Sequence, residues 1–110
     1  MQRQFRLRQR ADFEQARARG RQWHHHFLTL VVAPNDLTHN RYGFVTSRRL
    51  GGAVVRNRVR RIMRESVRLM NLRPGFDMIF LARNTIVGQP YKNVNAAIRE
   101  LMQRAGLLGG

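Results

Sequence analysis

The 110-residue chain is long enough for one domain with a modest core, and its 43% hydrophobic residues argue against global disorder. Its 21 Lys and Arg residues outnumber six Asp and Glu residues, and the net charge of +15 favours nucleic acid or, less often, an anionic membrane as partner. The lack of cysteine excludes disulfides and cysteine-ligated zinc. No apolar run reaches the ~20 residues that span a bilayer and no signal-peptide pattern opens the chain, so we expect a cytoplasmic protein.

Twenty of the 21 basic residues are arginine, and only Lys92 is lysine. Guanidinium groups bind phosphate in a bidentate fork and stack on bases, which suits RNA. A GC-rich genome would also raise the ratio of arginine to lysine. It would not explain the total charge.

The first part of the chain is predicted to contain an arm and a short helix. Residues 1–10 are basic without clear periodicity, so we expect a partly ordered arm. Residues 11–19 are predicted to form a helix that ends at Gly20, a usual residue just past a helix C-terminus. Phe13 and Ala16 lie one turn apart and form a narrow apolar stripe on that helix.

Three strands are predicted from apolar and β-branched stretches. Residues 24–33 and 41–47 form the first two, and the short polar connection between them favours an antiparallel pair. Residues 76–83 form the third strand. Its continuous apolar stretch, 78–81, is typical of a strand that is covered on both faces.

Two longer helices complete the prediction. Residues 53–70 form a basic helix between the second and third strands, and residues 93–105 form a last helix that stops at Gly106. The order helix, strands, helix, strand, helix predicts helices packed on a small mixed sheet.

The basic helix has two different sides when its residues are projected at 100° each. The apolar side consists of Val55, Val59, Ile62, Met63, Ser66, Leu69 and Met70. The basic side consists of Asn57, Arg60, Arg61, Arg64 and Arg68, with Arg56 and Arg58 flanking it. Glu65 is placed to pair with Arg61, four residues earlier. Solvated helix faces usually mix charges of both signs, so this side predicts a nucleic-acid contact, with RNA and DNA both possible.

The segment from Arg48 to Glu65 resembles the signature of the bacterial ribonuclease P protein family. That signature has a basic pair that ends a strand, a glycine link, Ala-Val, Arg-Asn-Arg, a second basic pair and Arg-Glu. The matching residues are Arg48-Arg49, Gly51-Gly52, Ala53-Val54, Arg56-Asn57-Arg58, Arg60-Arg61 and Arg64-Glu65. Leu7-Arg8 ahead of Asp12-Phe13 and a strand over 77–83 that ends in Ala-Arg also match, so the resemblance covers nearly the whole chain.

The resemblance implies an α+β fold over residues 1–110: a sandwich of three helices and a small mixed four-stranded sheet, with a left-handed βαβ crossover around the Arg-Asn-Arg helix. It also implies that the chain is a subunit of an endoribonuclease whose RNA subunit is the catalyst. That RNA removes the 5′ leader of precursor tRNA with Mg²⁺, which the RNA and substrate mainly bind. The implied partners are ribonuclease P RNA and precursor tRNA. We expect a monomer with one copy per RNA, no membrane contact and no catalytic residue of its own.

The resemblance also implies which residues touch RNA. The residues expected to contact the catalytic RNA are Arg48, Arg49, Arg56, Asn57, Arg58, Arg60, Arg61, Arg64 and Arg68. Phe13 is expected to line a cleft for the leader, with plain core packing as the alternative role. Arg17 and Leu30 occupy positions where the family often has further aromatic residues. We assign them to the same cleft, so leader contact is expected to depend more on charge than on stacking.

Other interpretations remain open. A ribosomal or assembly protein would share the basic helix, and a DNA-binding module could use it in the major groove. The run His24-His25-His26 could bind a metal, but alternate residues of a strand face opposite ways, so only His24 and His26 would point together. RNA contact or a solvated strand end are the other roles for this run. A histidine-dependent ribonuclease needs two histidines across a cleft, and the six acids show no metal-site spacing.

Overall fold

The computed structural model describes residues 2–109, which form three α-helices and one four-stranded sheet. The elements are α1 (Arg10–Arg19), β1 (Arg21–His24), β2 (Leu28–Pro34), β3 (Arg41–Val45), α2 (Ala53–Arg68), β4 (Phe76–Ala82) and α3 (Tyr91–Arg104). The α+β class and the three predicted helices are confirmed. The predicted arm and domain also include residues 1 and 110, which lie outside the described residues. None of the helices within residues 2–109 is long and apolar enough to cross a membrane.

The strands follow the order β1-β2-β4-β3 across the sheet. β4 pairs antiparallel with β2 and parallel with β3, so the predicted direct pairing of the first two strands is wrong. β4 lies inside the sheet, between β2 and β3. The connection from β2 to β3 holds it there, because Asn35 Nδ2 donates to Asp77 Oδ1 (3.0 Å) and Asn40 Oδ1 accepts from Phe76 N (2.8 Å).

The parallel pair β3 and β4 is joined by α2, which gives the βαβ crossover that the resemblance implies. Its left-handed sense stays a prediction. α2 and α3 pack together on one face of the sheet, and α1 covers part of the other face.

The predicted strand over 24–33 corresponds to β2, and its first residue, His24, belongs to a separate strand, β1, from which a tight turn leads into β2. β1 pairs antiparallel with β2, and His25 N donates to Leu28 O (2.9 Å) to close the turn. β1 was missed because Arg21-Gln22-Trp23-His24 has little apolar character, as suits an edge strand that carries few side chains into the core.

The N-terminal segment is docked on the sheet and is not a partly ordered arm over residues 2–9. Leu7 is buried, its N–H donates to Tyr42 O (2.9 Å), and Arg6 forms a parallel bridge with Tyr42. The segment therefore extends the sheet beyond β3. A single buried leucine among arginines and glutamines is too short a signal to predict this packing.

The core consists of two clusters separated by the sheet. Leu30, Met78 and Phe80 face α2 and α3, whereas Val31 and Ile79 face α1. β4 contributes to both clusters, which confirms the prediction that both of its faces are covered.

The apolar side of α2 is as predicted except near its C-terminus. Val59, Met63 and Ser66 are buried, and so is Val67, which the projection did not include. Leu69 is 68% exposed because α2 ends at Arg68, so residues after it leave the helical path. Ser66 packs against α3, not under a strand, and its Oγ accepts a hydrogen bond from Asn95 Nδ2 (2.9 Å).

A bidentate ion pair joins Arg41, at the start of β3, to Asp77 beside it on β4. The distances are 2.9 Å from Nε to Oδ1 and 2.8 Å from Nη2 to Oδ2, and Asp77 is buried. Asp12 of α1 lies 3.7 Å from Arg41 Nη1. Hydrogen bonding to Asp77 raises the pKa of the Arg41 guanidinium, although partial burial acts in the opposite direction.

We predict that Asp77→Asn lowers the free energy of unfolding by about 2 kcal/mol. Removing one partner of a fully buried pair costs roughly 3–5 kcal/mol, and the loss is smaller here because Arg41 is partly solvated and keeps Asp12 nearby. Urea unfolding measures the change. Asp36→Asn is the matched control, since Asp36 is exposed and Asn tolerates its φ of +60°. Equal unfolding midpoints for the two variants would contradict the prediction.

Candidate nucleic-acid interface

The outward side of α2 carries the arginines that the sequence singled out. Arg58, Arg61 and Arg68 are exposed with Asn57, while Arg56, Arg60 and Arg64 are half-buried. We call these seven residues the basic face. They project from one helix whose opposite side is fixed in the core, so their Cα atoms hold a constant spacing.

The turn before α2 adds two further predicted residues. Arg48 and Arg49 are exposed, and buried Leu50 anchors the turn between them and the helix. Gly51 has a φ of +139°, which L side chains rarely adopt, and links this turn to the helix. No acidic residue lies in the first turn of α2, so the positive end of the helix dipole adds to the field of these arginines.

Arg60 is held by side chains of its own protein. Its guanidinium donates hydrogen bonds to Thr46 Oγ1, just after β3, and to Asn57 Oδ1, one turn earlier on α2. Arg60 and Asn57 are both predicted RNA contacts. In the free protein they bind each other, which positions them in advance and leaves Arg61 and Arg64 as the less constrained arginines of the basic face.

The predicted pair between Glu65 and Arg61 is wrong. Glu65 Oε2 instead accepts from Arg68 Nη2 at 2.9 Å. On a helix, an acid and an arginine pair more favourably when the acid comes first in the sequence, because this order agrees with the helix dipole. Glu65 precedes Arg68 but follows Arg61. Both side chains are about half exposed, so the pair contributes little stability and phosphate can replace the carboxylate.

A groove of about 380 Å³, the β3 groove, lies beside the basic face. Arg60 and Arg64 form its α2 wall, and residues 42–44 of β3 form its floor. The opposite wall consists of residues 6–8 and Phe13. The groove thus combines apolar rings with guanidinium groups, a combination that binds single-stranded nucleic acid without base-specific hydrogen bonds.

Phe13 packs in the core, and its contact with the leader stays a prediction. Its ring packs against the cluster of Leu7 and Val31, and it also borders the β3 groove. The ring lies against Gly43, where an added Cβ would come within 2.5 Å of Phe13 Cε1. Glycine at this position therefore allows the aromatic ring to approach the strand.

Arg17 and Leu30, the two other residues assigned to the leader cleft, differ in their exposure to solvent. Arg17 is exposed on α1 and remains available for contact. Leu30 is fully buried and faces α2 and α3, the opposite face from Phe13, so its assignment to the leader cleft is wrong. Side chains alternate between the two faces of a sheet along each strand. The face on which Leu30 lies could not be predicted, because the strand register is not known from the sequence.

The register shows a row of side chains that sequence analysis missed. His24, Thr29, Leu81 and Val45 are adjacent partners across the four strands, and each is exposed or half-buried. They lie on the α1 face of the sheet, beyond the part that α1 covers. We call them the open row. Val45, Leu81 and Phe13 all pack at the margin of the same apolar cluster, so the open row lies close to Phe13, which borders the β3 groove.

The three consecutive histidines do not act as a cluster. His24 Nδ1 is 3.1 Å from Thr29 Oγ1 in the open row. His25 Nδ1 accepts from Phe27 N (3.0 Å), and His26 is exposed in the turn. β1 ends at His24, so strand alternation does not place His24 and His26 together. Within residues 2–109 no three His, Cys, Asp or Glu side chains form a metal-binding group.

Comparisons with known proteins agree with the motif. The family model for Ribonuclease P matches residues 1–106. The chain is 42% identical to the ribonuclease P protein component of Roseiflexus castenholzii, over all of this chain and 93% of that one. It is 43% identical to the component of Chloroflexus aggregans, over 98% of this chain and 82% of that one.

Solved structures share the fold. The ribonuclease P protein of Thermotoga maritima superposes with a TM-score of 0.80 and 25% identity, over 90% of this chain and 96% of that one. A mutant ribonuclease P protein of Staphylococcus aureus gives a TM-score of 0.88 at 23% identity, over 96% and 91%. The four-stranded mixed sheet with three helices is therefore the fold of these proteins.

We predict that Arg61→Ala combined with Arg64→Ala weakens binding to a short single-stranded RNA and makes it less dependent on salt. Each lost phosphate contact lowers the log–log salt slope by roughly 0.7. The pair avoids Arg60, whose bonds to Thr46 and Asn57 also support the local structure. Fluorescence anisotropy at several salt concentrations measures both quantities.

The matched control is Arg21→Ala with Arg99→Ala, which removes the same charge from exposed positions on β1 and α3. β1 is at the opposite edge of the sheet from β3, and α3 contacts it. The control should retain most of the affinity and slope. Equal losses in both double variants would mean that total charge, and not the basic face, determines binding.

Proposed function

The chain belongs to the ribonuclease P protein family, and from that premise we propose that it binds both the catalytic RNA and the 5′ leader of precursor tRNA. The RNA subunit carries out the endonucleolytic cleavage that gives the mature tRNA 5′ end. The observation that carries this proposal is the basic face of α2, with its unbalanced positive charge, directly beside a groove that combines arginine and aromatic side chains.

The basic face is the docking surface that we propose for the catalytic RNA. Structured RNA presents closely spaced phosphates, and arginines fixed on a helix can neutralise several of them at once. Arg60 and Asn57 are already oriented by their mutual hydrogen bond, so little side-chain entropy is lost when they bind. Arg48 and Arg49 extend the same surface beyond the helix N-terminus.

The β3 groove and the open row are the path that we propose for the leader. The open row crosses three interstrand spacings, roughly 14 Å, which is enough for a few unpaired nucleotides. Val45 and Leu81 offer apolar contact, and Phe13 can stack on any base, so the path tolerates different leader sequences. Arg17, on α1, can contact phosphates of the same strand.

The basic face and the β3 groove together support a role for this chain in binding RNA. When bound by the RNA and the substrate, Mg²⁺ supplies the activation of water for phosphodiester cleavage. The arginines of this chain neutralise phosphates that would otherwise repel one another when substrate and catalytic RNA meet. They therefore reduce the concentration of free cation that is needed to bring the two RNAs together.

We predict that the purified chain alone cleaves no RNA, and that it lowers the Mg²⁺ concentration needed for leader removal when mixed with a bacterial ribonuclease P RNA. Cleavage of a labelled precursor tRNA, followed over a Mg²⁺ titration, measures the effect. Activity should saturate at one protein per RNA. An unchanged Mg²⁺ requirement would contradict the assisting role, and cleavage by RNA-free protein would contradict the assignment of catalysis to RNA.

We further predict that Phe13→Leu weakens affinity for precursor tRNA by about tenfold, because stacking on one base contributes roughly 1–3 kcal/mol. Leucine keeps the apolar packing of the core cluster. Affinity for mature tRNA, which lacks the leader, should not change. Phe76→Leu is the control, since Phe76 packs against the cluster below α2 and α3 and does not border the β3 groove. Equal losses for precursor and mature tRNA would contradict a leader contact at Phe13.

A further inference from the structure

A second groove, of about 510 Å³, lies on the other side of the N-terminal segment. We call it the N-terminal groove. Arg3, Arg6 and Arg8 line it together with Gln4 and Gln9, and it also reaches Asp12 and Arg41. Its lining is strongly basic and rich in hydrogen-bond donors.

The arginines of this groove have fixed positions in the fold. The backbone bond from Leu7 N to Tyr42 O and the burial of Leu7 hold the segment at its centre. At its start, the ring of Phe5 meets His39 edge-on with centroids 5.3 Å apart. The side chains of Arg3, Arg6 and Arg8 therefore project from a docked backbone, and binding them costs less entropy than binding an unstructured tail would.

The positive charge of the N-terminal groove has no internal counterpart. Within residues 2–109, none of the ion pairs involves Arg3, Arg6 or Arg8. Asp12 is the only carboxylate that lines the groove, and Arg41 lies 3.7 Å from it. The N-terminus of α1 begins at the same place and has no side-chain cap, so its dipole adds to the positive field.

The two grooves share a wall. Arg6 and Arg8 line both of them, so the N-terminal groove continues directly into the β3 groove and from there to Arg64 of the basic face. A polyanion in contact with α2 can follow this surface around the edge of the sheet. A small anion would not need such length, whereas a chain of phosphates would occupy it.

We propose that the N-terminal groove binds the sugar–phosphate backbone of the 5′ leader through Arg3, Arg6 and Arg8, and that it continues the leader path of the adjoining β3 groove. The proposal rests on the function inferred above, which assigns the leader to the β3 groove. The recognition involves phosphates, so it is independent of base sequence.

The first experiment compares the wild-type chain with a triple variant, Arg3→Ala with Arg6→Ala and Arg8→Ala. These changes keep the backbone bridge to Tyr42, and circular dichroism and thermal unfolding check that the fold is retained. Binding is measured separately for ribonuclease P RNA, precursor tRNA and mature tRNA at several salt concentrations. We expect at least a tenfold loss of affinity for precursor tRNA and little change for mature tRNA, with a salt slope for precursor tRNA lower by roughly 0.7 per lost contact.

The charge-matched control replaces Arg21, Lys92 and Arg99, three exposed residues on β1 and α3, with alanine. Arg6 and Arg8 also line the β3 groove, whereas Arg3 lines the N-terminal groove and not the β3 groove, so Arg3→Ala alone should reproduce part of the loss for precursor tRNA. Full affinity of Arg3→Ala for precursor tRNA, or a loss confined to ribonuclease P RNA, overturns the proposal. Equal behaviour of the two triple variants overturns the proposal. Failure of the wild-type chain to bind any of these RNAs would instead overturn the proposed function.

A second experiment locates the contact directly. The chain has no cysteine, so Gln4→Cys introduces a single thiol into the N-terminal groove for a photo-crosslinker. Gln103→Cys places the same probe on the exposed side of α3. In the ribonucleoprotein assembled with precursor tRNA, crosslinks from position 4 should greatly exceed those from position 103, and sequencing should locate them in the leader. Equal crosslinking at both positions would contradict the proposal.

Discussion

The ion pair between Arg41 and Asp77 is the interaction on which the arrangement of the candidate site most depends. It joins directly opposed residues of the parallel strands β3 and β4, so it fixes their register. In this register Gly43 faces Phe13, while Tyr42 and Phe44 point to the other side. A shift of one residue would exchange the two faces and place a large side chain where the ring of Phe13 now lies. Asp12 extends the same interaction to α1, so one buried charge pair aligns the elements around the groove.

The β3–α2–β4 unit places its binding elements around a sheet edge. β3 is the last strand of the sheet, so α2 on one face and the N-terminal segment along the edge can both approach it. The segment also protects that edge from pairing with other chains. Arginines from residues 6–8 and from α2 therefore lie on opposite walls of one groove, although more than 50 residues separate Arg8 from Arg60 in the sequence.

Much of the fold and the basic face could be predicted because each has a strong local signal. The 3.6-residue period defines α2 and its arginines, and the continuous apolar run defines β4 as a covered strand. The predictions that were wrong concern features that depend on contacts between residues far apart in the sequence. β1 has little apolar character, the docking of Leu7 depends on a partner 35 residues away, and the side taken by Leu30 depends on strand register. The grooves could not be predicted, since their walls meet only after the strands are ordered.

The charge of the chain connects its stability to its partners. Within residues 2–109, Arg10, Arg41 and Arg68 are the arginines that form ion pairs with carboxylates, and most of the others remain without an acidic partner. Their mutual repulsion opposes folding, and phosphates that bind the folded surface remove it. A polyanion that binds only the folded chain also stabilises it by mass action, by about 2.7 kcal/mol at a hundred times its dissociation constant. The excess of arginine that opposes folding of the isolated protein is therefore also the basis of the RNA binding that we propose, and the partly buried charge pair of Arg41 and Asp77 maintains this surface in the free chain.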